Sequence, residues 1–347
     1  MKTEPKALLD NTPEELKAVV SQWNYPAYRA TQILEWAYRH RAESFDAMVN
    51  VPAELRSKLA SELVLYPLRI VQKVPSRMDE TIKYLFADNA GRTIESVLLP
   101  YDEHKTICIS TQAGCPLQCA FCASGMTRWE KNLSPAEMVS QVLLILKDAK
   151  LERIQNVVFM GMGEPFLNYE NVMRTVEILN APWGLGIASR KITLSTAGVV
   201  PGIRKLAKEK KQLRLSISLH APDNALRSKL MPINEKYPLK ELLKATKDYV
   251  EATGRRVGIE YTLIEGLNDN PEQAEKLATQ VKGIAHSVNL IPLNLVKEFP
   301  HKPSSLPRQK VFQKTLMDHG IKATLRREKG DDVNAACGQL RLRHVQG

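Results

Sequence analysis

"KTICISTQAGCPLQCAFCASG", Lys105 to Gly125, decides how this chain is read. It opens as a short β-rich run and continues into a loop carrying three cysteines, Cys115, Cys119 and Cys122, within eight residues. The whole chain of 347 residues has only five cysteines, so the cluster calls for a reason. A strand-then-helix rhythm runs on from it. The runs "NVVFMGM", "KITLST", "LRLSISL", "VGIEYTLI" and "SVNLIPLN" read as strands. Between the strands lie "SPAEMVSQVLLILKDA", "ENVMRTVEILN", "VVPGIRKLAKEK", "PLKELLKATKDYVEAT" and "PEQAEKLATQVK", with apolar residues at helical spacing. Six such repeats predict an α/β fold with a parallel sheet, open or closed into a partial barrel. Reactive groups in such folds gather at the C-terminal ends of the strands, and the cysteine loop sits directly after the first one.

Outward from this core the chain changes character. Residues 12–63 read as helical: Thr12 is a candidate N-cap, Pro13 fits the first turn, and Glu15 stands three residues after the cap. Ser134 and Glu137 repeat that pattern, with Pro135 between them. "TIKYLFA" and "TIESVLLP" flank the turn signal "DNAG" and predict a β-hairpin. The expected division is a helical accessory domain over 1–65, a β-hairpin extension over 66–100, and a core over 101–347.

Composition narrows the class. A hydrophobic fraction of 44% is ordinary for a globular protein with a sizeable core. No apolar run is long enough to span a bilayer, and the N-terminus lacks a signal-peptide core, which predicts a cytoplasmic protein with reduced thiols. The formal net charge is +11, compatible with a polyanionic partner such as RNA or with a solvated surface carrying surplus lysine. Residues 1–60 hold eight basic and eight acidic residues, so the surplus lies further on, as in "KLAKEKKQLR" (Lys205–Arg214).

Structural zinc sites pair C-x2-C with a second such pair, and here Cys108 and Cys337 are isolated. Three thiolates at C-x3-C-x2-C suit a [4Fe–4S] cluster with one iron left open, with zinc as the competing reading. Gly114, Ala120, Ala123 and Gly125 would let the loop wrap closely, and Phe121 could screen the cluster from water.

This pattern at the end of the first strand resembles the radical S-adenosylmethionine (SAM) enzymes, and "GMGEP" (Gly161–Pro165) resembles their second element. "LSTAGVVP" (Leu194–Pro201), "ISLHAP" (Ile217–Pro222), "LMPIN" (Leu230–Asn234) and "GDDVNAACGQL" (Gly330–Leu340) resemble the RlmN/Cfr adenine methyltransferases, most closely the RlmN type. The resemblance covers about residues 20 to 340. It implies a partial (βα)6 TIM-like barrel, one [4Fe–4S] cluster on Cys115, Cys119 and Cys122, and two SAM molecules per turnover. It further implies SAM contacts at Gly163, Glu164, Ser195, Ser218, Leu219, His220 and Asn294. Cys337 would carry a methyl group as S-methylcysteine and become tethered to the adenine. Cys108 would release the product by forming a transient disulfide with Cys337. Glu95 would take the ring proton. By residue type alone, Cys108 reads as a small core hydrophobe, Glu95 as a solvent-facing strand residue and His220 as a structural histidine.

The implied substrates are 23S rRNA, at one peptidyl-transferase-centre adenine, and tRNA, at the adenine 3′ of the anticodon. Methylation falls on C2 for the RlmN type and C8 for the Cfr type. Implied partners are a low-potential electron donor such as flavodoxin or ferredoxin, and no membrane; the chain is expected to be a monomer. The target base must be flipped out of its stack, the helical domain is the expected reader of RNA shape, and basic faces of the core are expected to hold phosphates. A reading from another class remains beside this one: a non-catalytic RNA-binding protein with a zinc-stabilised loop.

Overall fold

The structure, a computed structural model, describes residues 6–326, 329–333, 335 and 338–340. Three helices come first: α1 (Pro13–Gln22), α2 (Tyr28–Glu35) and α3 (Ala53–Glu62). Thr12 caps α1 as its sequence suggests. Its hydroxyl accepts from the Glu15 N–H at 3.1 Å, and the Glu15 carboxylate accepts from the Thr12 N–H at 2.6 Å. A π-helical turn, Trp36–His40, extends α2 and ends at Arg41 in the left-handed region (φ 49°).

Among the described residues, ten strands build one sheet. β1 (Leu68–Pro75), β2 (Ile82–Asp88), β3 (Thr93–Tyr101) and β4 (His104–Cys108) form an antiparallel meander. The expected hairpin is therefore β2–β3, and it is built into the main sheet rather than set apart from it. A two-stranded ribbon of β5 (Gln112–Ala113) and β6 (Lys131–Asn132) closes the base of the cysteine loop. Then follow α4 (Pro135–Asp148), β7 (Asn156–Phe159), α5 (Tyr169–Asn180), β8 (Ile192–Thr196), α6 (Val200–Lys208) and β9 (Arg214–Ser218). The last part runs α7 (Asn224–Leu230), α8 (Ile233–Lys236), α9 (Leu239–Thr253), β10 (Val257–Leu263), α10 (Pro271–Val281), β11 (Ala285–Pro292), α11 (Leu306–Asp318) and β12 (Ala323–Leu325). From β4 through β7–β12 every pairing is parallel, and β1 and β12 are the edges. The six expected parallel strands are present, and β12 adds a seventh.

Cross-strand partners share a face of a sheet, so the register sorts the side chains. One face carries rows such as Ile107, Val157 and Ile192, or Ile217, Ile259 and Val288; these are buried within the main apolar core. The opposite face carries Cys108 with Val158, Ser195 with Ser216, and Ser218 with Glu260 and Asn289. The Asn289 amide donates to the Glu260 carboxylate at 3.0 Å. One face thus makes the core and the other offers a polar lining for a site. No helix among the described residues is long and apolar enough to cross a membrane.

The N-terminal helices build an apolar cluster of their own that α4 and α5 complete. Leu8, Leu16, Val20, Ile33, Tyr38, Leu55 and Leu59 pack with Ala136, Val139 and Leu143 of α4 and Ile178 of α5. The Asp10 carboxylate accepts from the Ala136 N–H at 2.8 Å, at the start of α4. Deleting residues 1–65 uncovers Val139, Leu143 and Ile178 together. The truncated chain is expected to aggregate or bind a hydrophobic dye at concentrations where the full chain stays monodisperse in size-exclusion chromatography.

Candidate active site

Beyond β4 the chain is tied down before it reaches the cysteines. The Gln141 side chain of α4 holds Ser110 from both sides, accepting from its N–H at 2.8 Å and donating to its carbonyl at 3.0 Å. The Ser110 hydroxyl donates to the Glu95 carbonyl at 2.6 Å and accepts from the Met162 N–H at 2.8 Å, joining β3, β4 and the loop after β7. Gly114 follows with φ 74°, and a Cβ there would stand 2.1 Å from the Arg128 carbonyl oxygen, so only glycine lets the loop fold back so tightly.

The loop is then held along its length. The Ala120 N–H donates to the Leu230 carbonyl of α7 at 2.9 Å, and the Ala123 N–H donates to the Gly338 carbonyl at 2.7 Å. The Ser124 hydroxyl donates to the Leu340 carbonyl at 2.7 Å. Cys115, Cys119 and Cys122 line one cleft with Phe121, Gly163, Glu164, Ser195, Ser218, His220 and Asn294. The cleft measures about 920 Å³ counted to its open mouth, within the range of small-molecule sites. Of the expected cofactor contacts, Leu219 alone is absent from this lining. Its side chain is fully buried, and its backbone N–H donates to the Glu260 carbonyl at 3.0 Å.

The electrostatics follow from burial. Burial pushes the Cys115 thiol up to about 12 and raises that of Cys119 as well, with the neighbouring cysteines adding to it. Glu164 is buried, and burial pushes its carboxyl up to about 7. Its two oxygens accept from the Ala197 N–H at 2.8 Å and the Phe166 N–H at 3.0 Å, so the side chain joins the ends of β7 and β8. Gly163 beside it has φ 97° and lies against Gln112, whose amide oxygen accepts from the Glu164 N–H at 2.9 Å.

His220 sits in the left-handed region (φ 57°) with its ring edge-on to Phe121, centroids 4.8 Å apart. Its Nδ1 accepts from the Thr262 N–H at 2.9 Å, which leaves Nε2 to carry the proton. Burial, then the nearby Arg227 charge, lowers its pKa to about 3. The unfolded chain therefore binds a proton here that the folded chain refuses. The resulting stability is complete above pH ~6.5 and is lost as pH falls from there toward 3. Glu164 acts in the opposite sense over pH 4.5–7, so a variant is needed to isolate the histidine. His220→Asn, whose side chain tolerates the left-handed backbone, is expected to remove about 2 kcal/mol of the wild type's loss between pH 8 and pH 5, read by urea denaturation at both.

A second, small pocket holds the Cys108 thiol, lined by Leu99, Val158, Met160, Arg326, Ala335 and Leu340. Met160 and Arg326 also line the large cleft, so the two pockets adjoin at these residues. Glu95 is buried rather than solvent-facing, and its carboxylate lies 3.3 Å from the Lys83 ammonium of β2. Glu95 and Cys108 share a face of the sheet: Val97, two residues on from Glu95, pairs with Cys108. Cys337 lies outside the described residues. Lys83, Gln112, Arg227 and Arg326 are site residues that the sequence reading did not single out.

The donor set fits an iron–sulfur cluster. The three cysteines are spaced along one loop, C-x3-C-x2-C, without a second C-x2-C pair in the sequence. They border a cleft whose remaining wall includes Leu117, Ala197, Met231 and Leu293. Thiolates are the ligands such clusters take, and an apolar shell keeps water from them.

A parallel βα sheet with three cleft-facing cysteines on the loop after its first parallel strand defines a radical SAM enzyme. Residues 109–278 match the family model of the radical SAM superfamily, and residues 6–65 match that of the ribosomal RNA large subunit methyltransferase N-terminal domain. The chain is 45% identical to the probable dual-specificity RNA methyltransferase RlmN of Thermoanaerobacter sp. (strain X514), over 98% of both chains. Against the protein of the same name from Bacillus licheniformis it is 43% identical, over 100% of this chain and 96% of that one. It superposes with a TM-score of 0.95 on the crystal structure of a radical SAM methyltransferase from Sphaerobacter thermophilus, at 47% identity over 97% of this chain and 99% of that one. The chain belongs to the RlmN family of radical SAM RNA methyltransferases.

Proposed function

We propose that this protein methylates C2 of an adenine in 23S rRNA and C2 of the adenine 3′ of the anticodon in tRNA. The observation that carries the reading is the pair of adjoining pockets: the cysteine trio borders one, Cys108 sits in the other, and Met160 and Arg326 line both. A radical SAM enzyme acting on a small molecule has no evident need for a second thiol so placed.

A [4Fe–4S] cluster on Cys115, Cys119 and Cys122, together with SAM, would supply the hydrogen-abstracting radical chemistry that an electron-poor ring carbon requires. The protein's own residues do the rest. Gly163, Ser195, Ser218, His220 and Asn294 would orient SAM in the cleft, with the Nε2–H of His220 as a fixed donor. Cys337 would carry the carbon that becomes bonded to the ring. The described residues flanking it in sequence support this: Ala335 and Leu340 line the Cys108 pocket, and Gly338 lines the large cleft. Glu95, with Lys83 as its countercharge, would accept the ring proton, and the unpaired electron left on the ring would pass to a one-electron acceptor such as the bound redox group, leaving a closed-shell thioether. The Cys108 thiolate would then attack the Cys337 sulfur. The S–S bond forms as the C–S bond breaks, and the released electron pair stays with the carbon, which gains a proton as the new methyl group. An external thiol would reduce the disulfide before the next turnover.

The division into an RNA-reading helical region (1–65), a strand extension (66–100) and a catalytic core (101–347) is part of the same proposal, as are action as a monomer and supply of electrons by a low-potential flavodoxin or ferredoxin. Nucleoside mass spectrometry after incubating the anaerobically reconstituted enzyme with 23S rRNA and with tRNA tests the reading. 2-Methyladenosine from both RNAs supports it, 8-methyladenosine points to the Cfr-type outcome, and no methylated adenosine overturns it.

A further inference from the structure

Arg227 of α7 is the largest fully buried side chain among the described residues. It forms no ion pair with a described carboxylate. Its donors all go to neutral oxygens: Nε to the Leu219 carbonyl at 3.1 Å, Nη1 to the Asn234 side chain at 3.0 Å, and Nη2 to the carbonyls of Ala197 at 2.7 Å and Ser218 at 3.2 Å. Gly198 (φ 109°) makes room for it; a Cβ there would lie 3.2 Å from Nη2. A guanidinium cannot shed its proton to ease its burial, so a buried one without a countercharge is costly. Its position ties it to the cysteine site: Ala197, whose carbonyl Nη2 reaches at 2.7 Å, lines the same cleft as Cys115, Cys119 and Cys122. The same helix grips the cysteine loop, since Leu230 at its end accepts from the Ala120 N–H at 2.9 Å.

We propose that Arg227 is a positioning residue for the cysteine-loop site: its buried guanidinium supplies the fixed positive charge behind the thiolate-held cluster and clamps the ends of β8 and β9 that line the cofactor cleft. The inference rests on the iron–sulfur reading of Cys115, Cys119 and Cys122. Three thiolates outweigh the positive charge of the cluster core, so the assembly is anionic, and one-electron reduction by an external donor makes it more so. A fixed cation beside it favours the reduced form. The four contacts to Ala197, Ser218, Leu219 and Asn234 use the planar fork, which a lysine cannot reproduce.

The test compares wild type, Arg227→Met and Arg227→Lys, each reconstituted anaerobically. Iron and acid-labile sulfide are counted, the cluster's midpoint potential is titrated by electron paramagnetic resonance, and SAM binding is measured by equilibrium dialysis. Arg227→Met is expected to disfavour cluster reduction at least tenfold, a midpoint 59 mV or more below wild type for one electron. Arg227→Lys is expected to keep the wild-type midpoint and to bind SAM about tenfold more weakly. A cluster-loaded Arg227→Met with the wild-type midpoint overturns the proposal. If Arg227→Met does not fold, Arg227→Lys decides: a shifted midpoint, or unchanged SAM affinity, overturns it. Wild-type protein without iron and sulfide would instead defeat the iron–sulfur reading itself.

Discussion

Replacing Cys115, Cys119 and Cys122 together by alanine is expected to leave a folded chain that holds no iron or sulfide and methylates neither RNA, a loss of at least about 10⁴-fold. The fold should survive because the main core, built on the apolar face of the sheet, does not include these residues. Cys115 and Cys119 pack against the smaller cluster of Leu117, Ala197, Ala221, Leu230, Met231, Ile264 and Leu293. Losing each sulfur there costs about 1 kcal/mol, so cooperative unfolding should persist at a lower temperature. The backbone bonds from Ala120 to Leu230 and from Ala123 to Gly338 do not involve the sulfurs and remain available. Circular dichroism, an iron and sulfide assay and nucleoside mass spectrometry check the three parts separately. Methylation surviving in the triple variant would remove the basis for a cluster.

Cys108→Ala is expected to fail differently. In the proposed sequence Cys108 acts only after the carbon is bonded to the ring, so the variant should carry out the first steps and then stop. Methylated RNA should fall by about 10³-fold or more, while a covalent RNA–protein adduct accumulates and migrates as a slow band on a denaturing gel. Cys108 is buried on β4, facing a pocket rather than a tightly filled layer, so alanine removes one sulfur without disturbing the ladder to Val97 and Val158. Adding Glu95→Gln separates the roles further: with proton removal slowed, the adduct should persist even where Cys108 is intact. Free methylated RNA at the wild-type rate from Cys108→Ala would show that the thiol is only a small apolar residue of the sheet.

The capping residues Thr12 and Ser134, the alternating strands and the glycine at 114 were all legible locally, because each depends on bonds within a few residues of itself. The short elements α7, α8 and β12 were not. Helix α7 has seven residues and α8 has four, too few for a periodic pattern, and β12 is three residues that pair only because β11 stands beside them. Glu95 shows the same limit in a side chain. Its type suggested solvent, yet the register places it opposite Leu85 on a buried face, where Lys83 reaches it across the ladder. Arg227 gave no signal at all, since a charged residue near a helix end ordinarily faces water.

Taken alone, the string of residues determined the βα order and the position of the cysteine trio after the first parallel strand. Those are properties of spacing and periodicity, which neighbouring residues set among themselves. Only the tertiary structure decided that polar residues of β8, β9 and β10 face one cleft, that Met160 and Arg326 line both it and the Cys108 pocket, and that a buried guanidinium ties the ends of β8 and β9 beside it. Each of these joins groups tens to hundreds of residues apart, and long-range packing and electrostatics leave no trace in any single segment.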